Sequence, residues 1–316
     1  MKILKLYSFL TFSIALLSFH KEEKGSRVFT VESNFKTYLI ILGSAQDGGY
    51  PQAGCNKDCC KNVINKKMPT CLGLIDQKAD KVWMFEATPA FPDQWKTLQS
   101  CAVSNKTFPD GIFLTHAHVG HYAGLMDLGR EIMGTKEAPV YMMPRMRNFI
   151  RTNGPWSQLV SLKNISIQPL KEDSTIHLDD SITVTPFLVP HRDEFSETVG
   201  YIITTPKKKI LFIPDIDKWE KWGKNIVDEV KKVDMAFIDG TFMKDGELGG
   251  RSMKDVPHPF VTETMKLFKD QTVKQKNKIY FIHFNHTNPI NFENKTRDGI
   301  IEEGYNIANE GMKIEL

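Results

Sequence analysis

Three histidines fall within six residues of this 316-residue chain, at His116, His118 and His121. Neutral imidazole is a common ligand of zinc and similar metals, and the whole chain has only nine histidines. His116 and His118 are two residues apart on a predicted loop, where both rings can face one side, and His121 begins a predicted helix. We interpret the cluster as part of a metal site. The alternative is a surface loop or a set of buried histidines that serve packing.

Three further ligand-type residues come at the ends of predicted strands elsewhere in the chain. His191, Asp215 and His283 each follow an apolar run rich in β-branched and aromatic residues, as the histidine cluster does. Such runs are typical of buried strands, and functional groups often lie on loops that a rigid sheet positions. We therefore expect these side chains to meet at one rim of the sheets.

The elements that must position these residues are seven predicted strands and four predicted helices. The strands are Tyr38–Leu42, Lys81–Phe85, Gly111–Thr115, Ile182–Val189, Lys209–Ile213, Met235–Ile238 and Lys278–Ile282. The helices are Tyr122–Met133, Met146–Arg151, Trp219–Lys232 and Phe260–Lys269. With 41% hydrophobic and 25% charged residues, the composition is that of an ordinary globular chain. The pattern predicts an α/β fold in which helices cover sheets.

The first 25 residues have the layout of a secretory signal. Two lysines precede an apolar run from Leu6 to Phe19, and a polar stretch begins at His20. The run is short for a membrane span, and no clear cleavage site follows it. We predict an exported, periplasmic protein in which residues 1–25 are a signal peptide or an uncleaved N-terminal anchor. Residues 26–316 form the folded domain, without a further membrane span.

The distribution of charge argues against a nucleic-acid partner. The net charge is only +3, and the lysines and arginines are scattered along the chain. Nucleic-acid binders concentrate such residues on one face or stripe. We interpret the run Lys207–Lys209 as a solvated hairpin tip.

The histidine pattern resembles the signature of the metallo-β-lactamase superfamily, H-x-H-x-D-H followed by a distant His, a distant Asp and a final His. The resemblance covers about residues 38 to 290 and implies an αββα sandwich, with two mixed β-sheets flanked by helices. It also implies two metal ions. The first is bound by His116, His118 and His191, the second by His121 and His283, and Asp215 bridges the two.

One position departs from that signature. Gly120 stands where the superfamily has an Asp that ligates the second metal. The second metal is therefore weakly bound, absent, or held by a replacement ligand. His286 and His258 are candidates for the replacement, and each is equally compatible with a packing or pocket role.

Three separated motifs resemble the pyrroloquinoline quinone biosynthesis protein B family. They are the stretch from Gly43 to Gln52, the pair Asp239–Phe242 and Gly250–Met253, and the stretch from His283 to Pro289. In that family the first motif is followed by C-x-C-x-x-C, a structural metal site.

The corresponding segment here holds Cys55, Cys59 and Cys60, with Lys57 in the middle position of the family pattern. We predict that the three thiolates bind a structural metal with a fourth ligand from elsewhere. A disulfide of Cys55 with Cys59 or Cys60, which an exported protein can form, and free thiols are the alternatives. The remaining cysteines, Cys71 and Cys101, are predicted to be small buried residues.

Two acidic residues at strand ends are candidates for supporting the metal ligands. Glu86 occupies the place of a supporting acid in the superfamily, and Asp239 has the position to orient a ligating histidine. The alternatives are a simple strand-end acid and an Asp of a turn before Gly240.

The resemblance implies a metal-dependent hydrolase with a small-molecule substrate. Its metal, one or two zinc ions with iron or manganese as alternatives, lowers the pKa of water so that hydroxide attacks an ester, lactone, amide or phosphodiester. Asp215 would set the metal spacing and contact the nucleophile. Two other functions stay open: an iron-dependent oxidative step in pyrroloquinoline quinone biosynthesis, and metal binding without catalysis.

Overall fold

The structure, a computed structural model, describes residues 36–249, 252–253 and 256–316. The predicted signal or anchor over residues 1–25 lies outside the described residues. Within the described ranges, no helix is long and apolar enough to cross a membrane.

Fourteen strands of the described chain form two mixed seven-stranded sheets. The first sheet contains β1 (Thr37–Gly43), β2 (Cys71–Asp76), β3 (Lys81–Phe85), β4 (Gly111–Phe113), β5 (Ala138–Met142), β6 (Ile165–Pro169) and β14 (Lys313–Glu315). Its order is β14-β1-β2-β3-β4-β5-β6. Neighbours are antiparallel from β14 to β3 and parallel from β3 to β6.

The second sheet repeats this design with the later part of the chain. It contains β7 (Ile176–His177), β8 (Thr183–Leu188), β9 (Val199–Thr204), β10 (Lys209–Ile213), β11 (Met235–Asp239), β12 (Ile279–Ile282) and β13 (Asn306–Ile307). Its order is β13-β12-β11-β10-β9-β8-β7. Strands β10 to β13 are parallel, and β7 to β10 pair antiparallel.

Helices cover the outer face of each sheet. The α-helices of the described chain are α1 (Phe91–Gln99), α2 (Val119–Tyr122), α3 (Pro144–Thr152), α4 (Trp156–Ser161), α5 (Ile226–Lys231), α6 (Val261–Leu267), α7 (Val273–Lys276) and α8 (Asn294–Glu302). Apolar side chains of α1, α3 and α4 pack on the first sheet, and those of α5, α6 and α8 pack on the second. The predicted αββα sandwich is therefore confirmed.

An aromatic core joins the two sheets directly beneath the rim where the ligand-type residues lie. The Phe85 ring stacks on Phe113 with centroids 5.0 Å apart, and it meets Tyr201 of the second sheet edge-on at 5.6 Å. The Tyr201 hydroxyl donates a hydrogen bond to the carbonyl of Leu114. Because dense aromatic packing resists displacement, the ends of β3, β4 and the second sheet keep a fixed relative position.

The sequence predicts the strands better than the helices. Each of the seven predicted strands overlaps an observed one, and the predicted helices Met146–Arg151 and Phe260–Lys269 correspond to α3 and α6. The predicted helix Tyr122–Met133 is wrong in extent, because α2 ends at Tyr122 and a 3-10 helix continues from Ala123 to Leu128. Gly124 packs so tightly there that an added Cβ would overlap the Thr88 carbonyl.

The predicted helix Trp219–Lys232 is also wrong in extent, because it is two elements. A 3-10 helix spans Trp219–Lys221, and α5 begins only after Asn225. The Asn225 side chain accepts hydrogen bonds from the backbone N–H groups of Val227 and Asp228, as helix-capping residues do. Gly223, which disfavours helix, lies in the gap.

Candidate metal centre

The rim of the sandwich brings together residues from both sheets. His116 and His118 follow β4 of the first sheet, whereas His191 and Asp215 follow β8 and β10 of the second. One ligand-type atom from each of these four residues lies within 4.8 Å of the other three. The sequence prediction that these strand ends converge is therefore confirmed, and we call these four residues the first ligand set.

The distances within the first ligand set match the edges of a coordination polyhedron. His116 Nε2 lies 2.8 Å from His118 Nδ1 and 3.4 Å from Asp215 Oδ2. His191 Nε2 lies 3.2 Å from His118 Nδ1 and 3.1 Å from Asp215 Oδ2. Ligands about 2.0–2.1 Å from a tetrahedral zinc ion are about 3.3 Å from one another. The four donors therefore fit a zinc-sized ion.

A second ligand set lies beside the first and comprises His121, His283 and Asp47. His121 Nε2 is 3.3 Å from His283 Nε2 and 3.2 Å from Asp47 Oδ1. It is also 3.8 Å from Oδ2 of Asp215. The Asp215 carboxylate is thus shared between the two sets, which is the position the superfamily resemblance implies.

Hydrogen bonds fix which nitrogen of each ring faces the centre. The Thr115 hydroxyl donates to Oε1 of Glu86 at 2.5 Å, so its oxygen accepts from His116 Nδ1 at 2.9 Å. His121 Nδ1 donates to the same Glu86 oxygen at 3.1 Å. Each ring therefore carries its proton on Nδ1. Nε2 therefore faces the centre in both cases and is the atom available to a metal ion.

A threonine hydroxyl and an acid also orient the final histidine, which lies on the second sheet. The Thr241 hydroxyl donates to Oδ1 of Asp239 at 2.7 Å and accepts from His283 Nδ1 at 2.8 Å. Nε2 of His283 and Nε2 of His121 then face each other across 3.3 Å. At this separation the two nitrogen atoms require a cation between them, either a proton on His121 Nε2 or a metal ion. The second set therefore also fits a metal ion.

Burial and the neighbouring carboxylates set the pKa values of the site histidines so that the site favours a cation. Burial lowers the pKa of His283 to about 4 and holds the pKa of His116 well below its ordinary value, so both rings are neutral at pH 7. Burial also disfavours a charged His121, but the carboxylates of Glu86 and Asp47 outweigh it and raise the pKa of that ring. Because a metal ion and a proton compete for Nε2, these carboxylates attract either.

Glu86 and His283 also share an unusual backbone conformation. Their φ angles are +88° and +69°, in the left-handed region that side chains other than glycine rarely adopt. Such conformations cost about 1–3 kcal/mol each and cluster at functional sites. The two strained residues are the supporting acid and the last histidine of the metal centre, so the backbone strain lies at the site.

His258 is one of the two residues expected to replace the missing signature Asp. It lies at the metal centre, between Asp239 and Asp215. Its Nδ1 is 2.9 Å from Oδ2 of Asp239 and 3.2 Å from Oδ1 of Asp215. Burial opposes a charge on this ring, but the two carboxylates raise its pKa to about 10. His258 therefore lies between two acids beside the first ligand set, and ligand-type atoms of Asp215, Asp239, His258 and His283 also lie within 4.8 Å of one another.

His286, the other expected replacement, lies at a different site and does not take the place of the signature Asp. One ligand-type atom of His286 and the sulfur atoms of Cys55, Cys59 and Cys60 all lie within 4.8 Å of one another. All five cysteines are free, so the disulfide alternative is not formed. Three thiolates and one imidazole are a common structural zinc set. His286 thus has the position of the fourth ligand that the cysteine prediction required.

Asp47 is the site residue that sequence reasoning missed as a ligand candidate. It lies inside the first family-like motif, where the sequence draws attention to glycines rather than to an acid. It is separated from His121 by more than seventy residues, so no local spacing links the two. The available signal was a mismatch between two separate stretches: the histidine signature lacks its Asp, and the first family-like motif contains one.

A cavity of about 490 Å³ opens beside the centre. Its lining includes His258, Arg192, Gln46 and Asn285, which are all polar. The Arg192 guanidinium lies 3.6 Å from Glu194 and is more than half exposed. The cavity therefore offers hydrogen-bond donors and positive charge next to the ligand sets.

Comparison with known proteins agrees with this architecture. Residues 84–284 match the family model of the beta-lactamase superfamily domain, which is more than half of the chain. The chain therefore belongs to the metallo-β-lactamase superfamily.

Within the superfamily the chain is similar to PqqB proteins over most of its length. Coenzyme PQQ synthesis protein B of Acinetobacter baumannii (strain ACICU) is 25% identical over 309 residues, covering 88% of this chain and 100% of that protein. Zn(2+)-bound PqqB from Methylobacterium extorquens superposes with a TM-score of 0.72 at 20% identity, covering 88% and 100% of the two chains. A diphosphatase from the PhnP family superposes with a TM-score of 0.64 at 18% identity, covering 89% and 97%.

Proposed function

We propose that this protein is a metal-dependent hydrolase that cleaves an ester, lactone, amide or phosphodiester in a small molecule. The observation that carries the proposal is the position of Asp215, whose Oδ2 lies 3.1–3.9 Å from nitrogen atoms of both ligand sets. A carboxylate shared between two adjacent sets of histidines suits a pair of metal ions, an arrangement common in hydrolytic enzymes.

A bound divalent metal supplies Lewis-acid activation of water and polarises the bond to be broken. The residues of the chain do the rest. Glu86 and Asp239 keep the histidine rings in the tautomer that presents Nε2. His258 holds a proton beside Asp215, and its ring lines the cavity. With Nδ1 engaged by two carboxylates, Nε2 is the atom that can pass a proton to a leaving group.

The cavity supports a substrate with an anionic group. Arg192 and the protonated His258 both line it, and the amide side chains of Gln46 and Asn285 lie at the same surface. Asn285 donates a 2.5 Å hydrogen bond to Gln46, which orders these amides. Because a guanidinium and an imidazolium pair well with phosphate, we favour a phosphodiester. The structural similarity to a diphosphatase points the same way.

The test begins with metal analysis of the purified protein, followed by a panel of ester, lactone, β-lactam and phosphodiester substrates. We expect zinc, with iron or manganese as alternatives, and turnover that chelation abolishes. The double variant His116→Ala/His118→Ala should lose metal from the first ligand set and lose turnover. His177→Ala, at an exposed histidine, is the matched control. Turnover that persists in the metal-free double variant would refute the proposal.

An oxidative step in coenzyme PQQ synthesis is the second candidate. Proteins with that name match 88% of this chain and nearly their full length. An iron-loaded protein that consumes oxygen with a peptide-derived quinone precursor, and hydrolyses nothing in the panel, would support it. One tightly bound metal with neither activity would instead support a metal-binding protein without catalysis.

We also propose that the protein is exported to the periplasm, on the composition of residues 1–25 alone. Cell fractionation, with N-terminal sequencing of the mature chain, is the test. Recovery of the full-length chain from the cytoplasm would refute export.

A further inference from the structure

The backbone around Gly120 leaves no room for the Asp that the superfamily signature has there. A Cβ built on Gly120 would overlap Oδ1 and Cα of Asp47 and lie 2.7 Å from its Cβ. Gly120 is itself buried. The space that a signature Asp would occupy therefore already contains an Asp side chain, supplied by another part of the chain.

Asp47 is held in that space by its own loop. The backbone N–H of Gln46 donates to the Phe284 carbonyl at 2.8 Å, and the Phe284 N–H donates to the Ser44 carbonyl at 2.9 Å. Phe284 directly follows His283, so these two bonds fix the loop beside the last histidine of the second ligand set. The position of Asp47 relative to His283 is thus set by backbone pairing rather than by a flexible side chain.

The carboxylate of Asp47 has an atom available for a metal. Its Oδ1 is buried and has no well-formed hydrogen bond within the residues that the structure describes. The same atom lies 3.2 Å from His121 Nε2, within reach of an ion pair when that ring is protonated. A buried carboxylate oxygen without a hydrogen bond is costly in a folded protein, and a cation shared with His121 and His283 would remove that cost.

We propose that Asp47 is a ligand of the second metal and replaces, from a different segment, the signature Asp absent at Gly120. The two positions form a swapped pair, in which a glycine at one makes room for an aspartate at the other. The proposal shares with the proposed function only the assumption of a metal at this centre. Its test therefore measures metal binding rather than turnover.

The experiment compares four full-length proteins: the parent, Asp47→Gly, Gly120→Asp, and the double variant Asp47→Gly/Gly120→Asp. Zinc affinity is measured by competition with a chelator, and bound zinc is counted at fixed free zinc. Cobalt(II) spectra separate the centre from the cysteine site, because only thiolates give intense charge-transfer bands. Asp173→Gly, at an exposed left-handed Asp, is the matched control.

We expect Asp47→Gly to bind about one zinc fewer, with affinity at the second set reduced at least about 100-fold, since loss of mere supporting groups costs about 10- to 100-fold. Gly120→Asp alone should also lose affinity, because its new side chain collides with Asp47. The double variant should regain most of the second-site affinity, and the control should match the parent.

The conservative variant Asp47→Asn keeps the shape of the side chain and removes only its charge. If it folds as the parent does and loses second-site affinity, a purely structural role of Asp47 is excluded. Unchanged zinc count and affinity in Asp47→Gly and Asp47→Asn would overturn the proposal. So would a double variant that binds no more zinc than Asp47→Gly while keeping the parent's circular dichroism. Loss of turnover without loss of zinc would count against the ligand role and leave the hydrolase proposal standing.

Discussion

Glu86 is the supporting acid on which both ligand sets depend, and Glu86→Gln tests that dependence. The carboxylate is fully buried. It accepts from the Thr115 hydroxyl at 2.5 Å, from the Thr115 N–H at 3.3 Å and from His121 Nδ1 at 3.1 Å. Through the Thr115 hydroxyl it also fixes the His116 ring. One substitution therefore perturbs a histidine of each set.

The size of the effect follows from these contacts. A glutamine keeps a neutral oxygen for Thr115 and His121, and charge-assisted hydrogen bonds are about twice as strong as neutral ones. Its amide group would face the Thr115 N–H, placing donor against donor. Together these changes cost about 1–3 kcal/mol, which corresponds to a loss of about 5- to 140-fold in metal affinity at about 1.4 kcal/mol per factor of ten.

The assay is zinc competition titration, with circular dichroism to establish that the variant is folded. We expect the larger loss at the second ligand set, because His121 contacts Glu86 directly whereas His116 is reached through Thr115. Glu137→Gln is the matched control, since Glu137 is an exposed glutamate with a φ of +55°. A folded Glu86→Gln protein with unchanged affinity at both sets would refute this account of the ring orientations.

Three further outcomes are expected. Cys59→Ser should remove about one zinc per chain and lower Tm, while the histidine centre stays loaded. Cys101→Ser should change neither the zinc content nor Tm. Equal zinc content in the two variants would exclude the cysteine site. Phe113→Ala should lower the free energy of unfolding by about 3–5 kcal/mol, against less than about 1 kcal/mol for the exposed Phe195→Ala, as measured by urea denaturation. Burial raises the pKa of Glu310 to about 7 from 4.5, so the folded chain binds this proton more tightly and loses stability as pH rises between those values. Glu310→Gln should then be more stable than the parent by roughly 1–3 kcal/mol at pH 8 and equal to it near pH 4; a difference independent of pH would contradict this.

The strands and the histidine ligands could be predicted from local sequence because both are local properties. A buried parallel strand requires a continuous run of apolar, β-branched and aromatic residues. Lys81–Phe85 and Lys209–Ile213 have this pattern and are strands with those bounds. The ligand-type residues follow such runs immediately, so the register of the strand places them at the rim. Helix extents were harder to predict, because Gly124 and Asn225 act through tertiary packing and capping.

The sequence also indicated a missing ligand at Gly120 and a missing fourth partner for the cysteines. It could not place His286 correctly, since a spacing of three from His283 suits the same site as readily as a different one. In the structure the segment after His283 turns away toward the cysteine loop. The choice between the two sites was therefore made by the path of the backbone.

Asp47 shows most clearly which part of the site the sequence alone does not predict. Whether an aspartate can fill the space beside a glycine depends on the distance between two segments, and sequence spacing carries no information about that distance. Here the backbone pairing of Ser44 and Gln46 with Phe284 brings the loop to the second ligand set. The sequence by itself determined which residue types were available and that one carboxylate was lacking at position 120. Only the tertiary structure decided which carboxylate takes that place, because steric exclusion and ligand geometry act between atoms that are close in space.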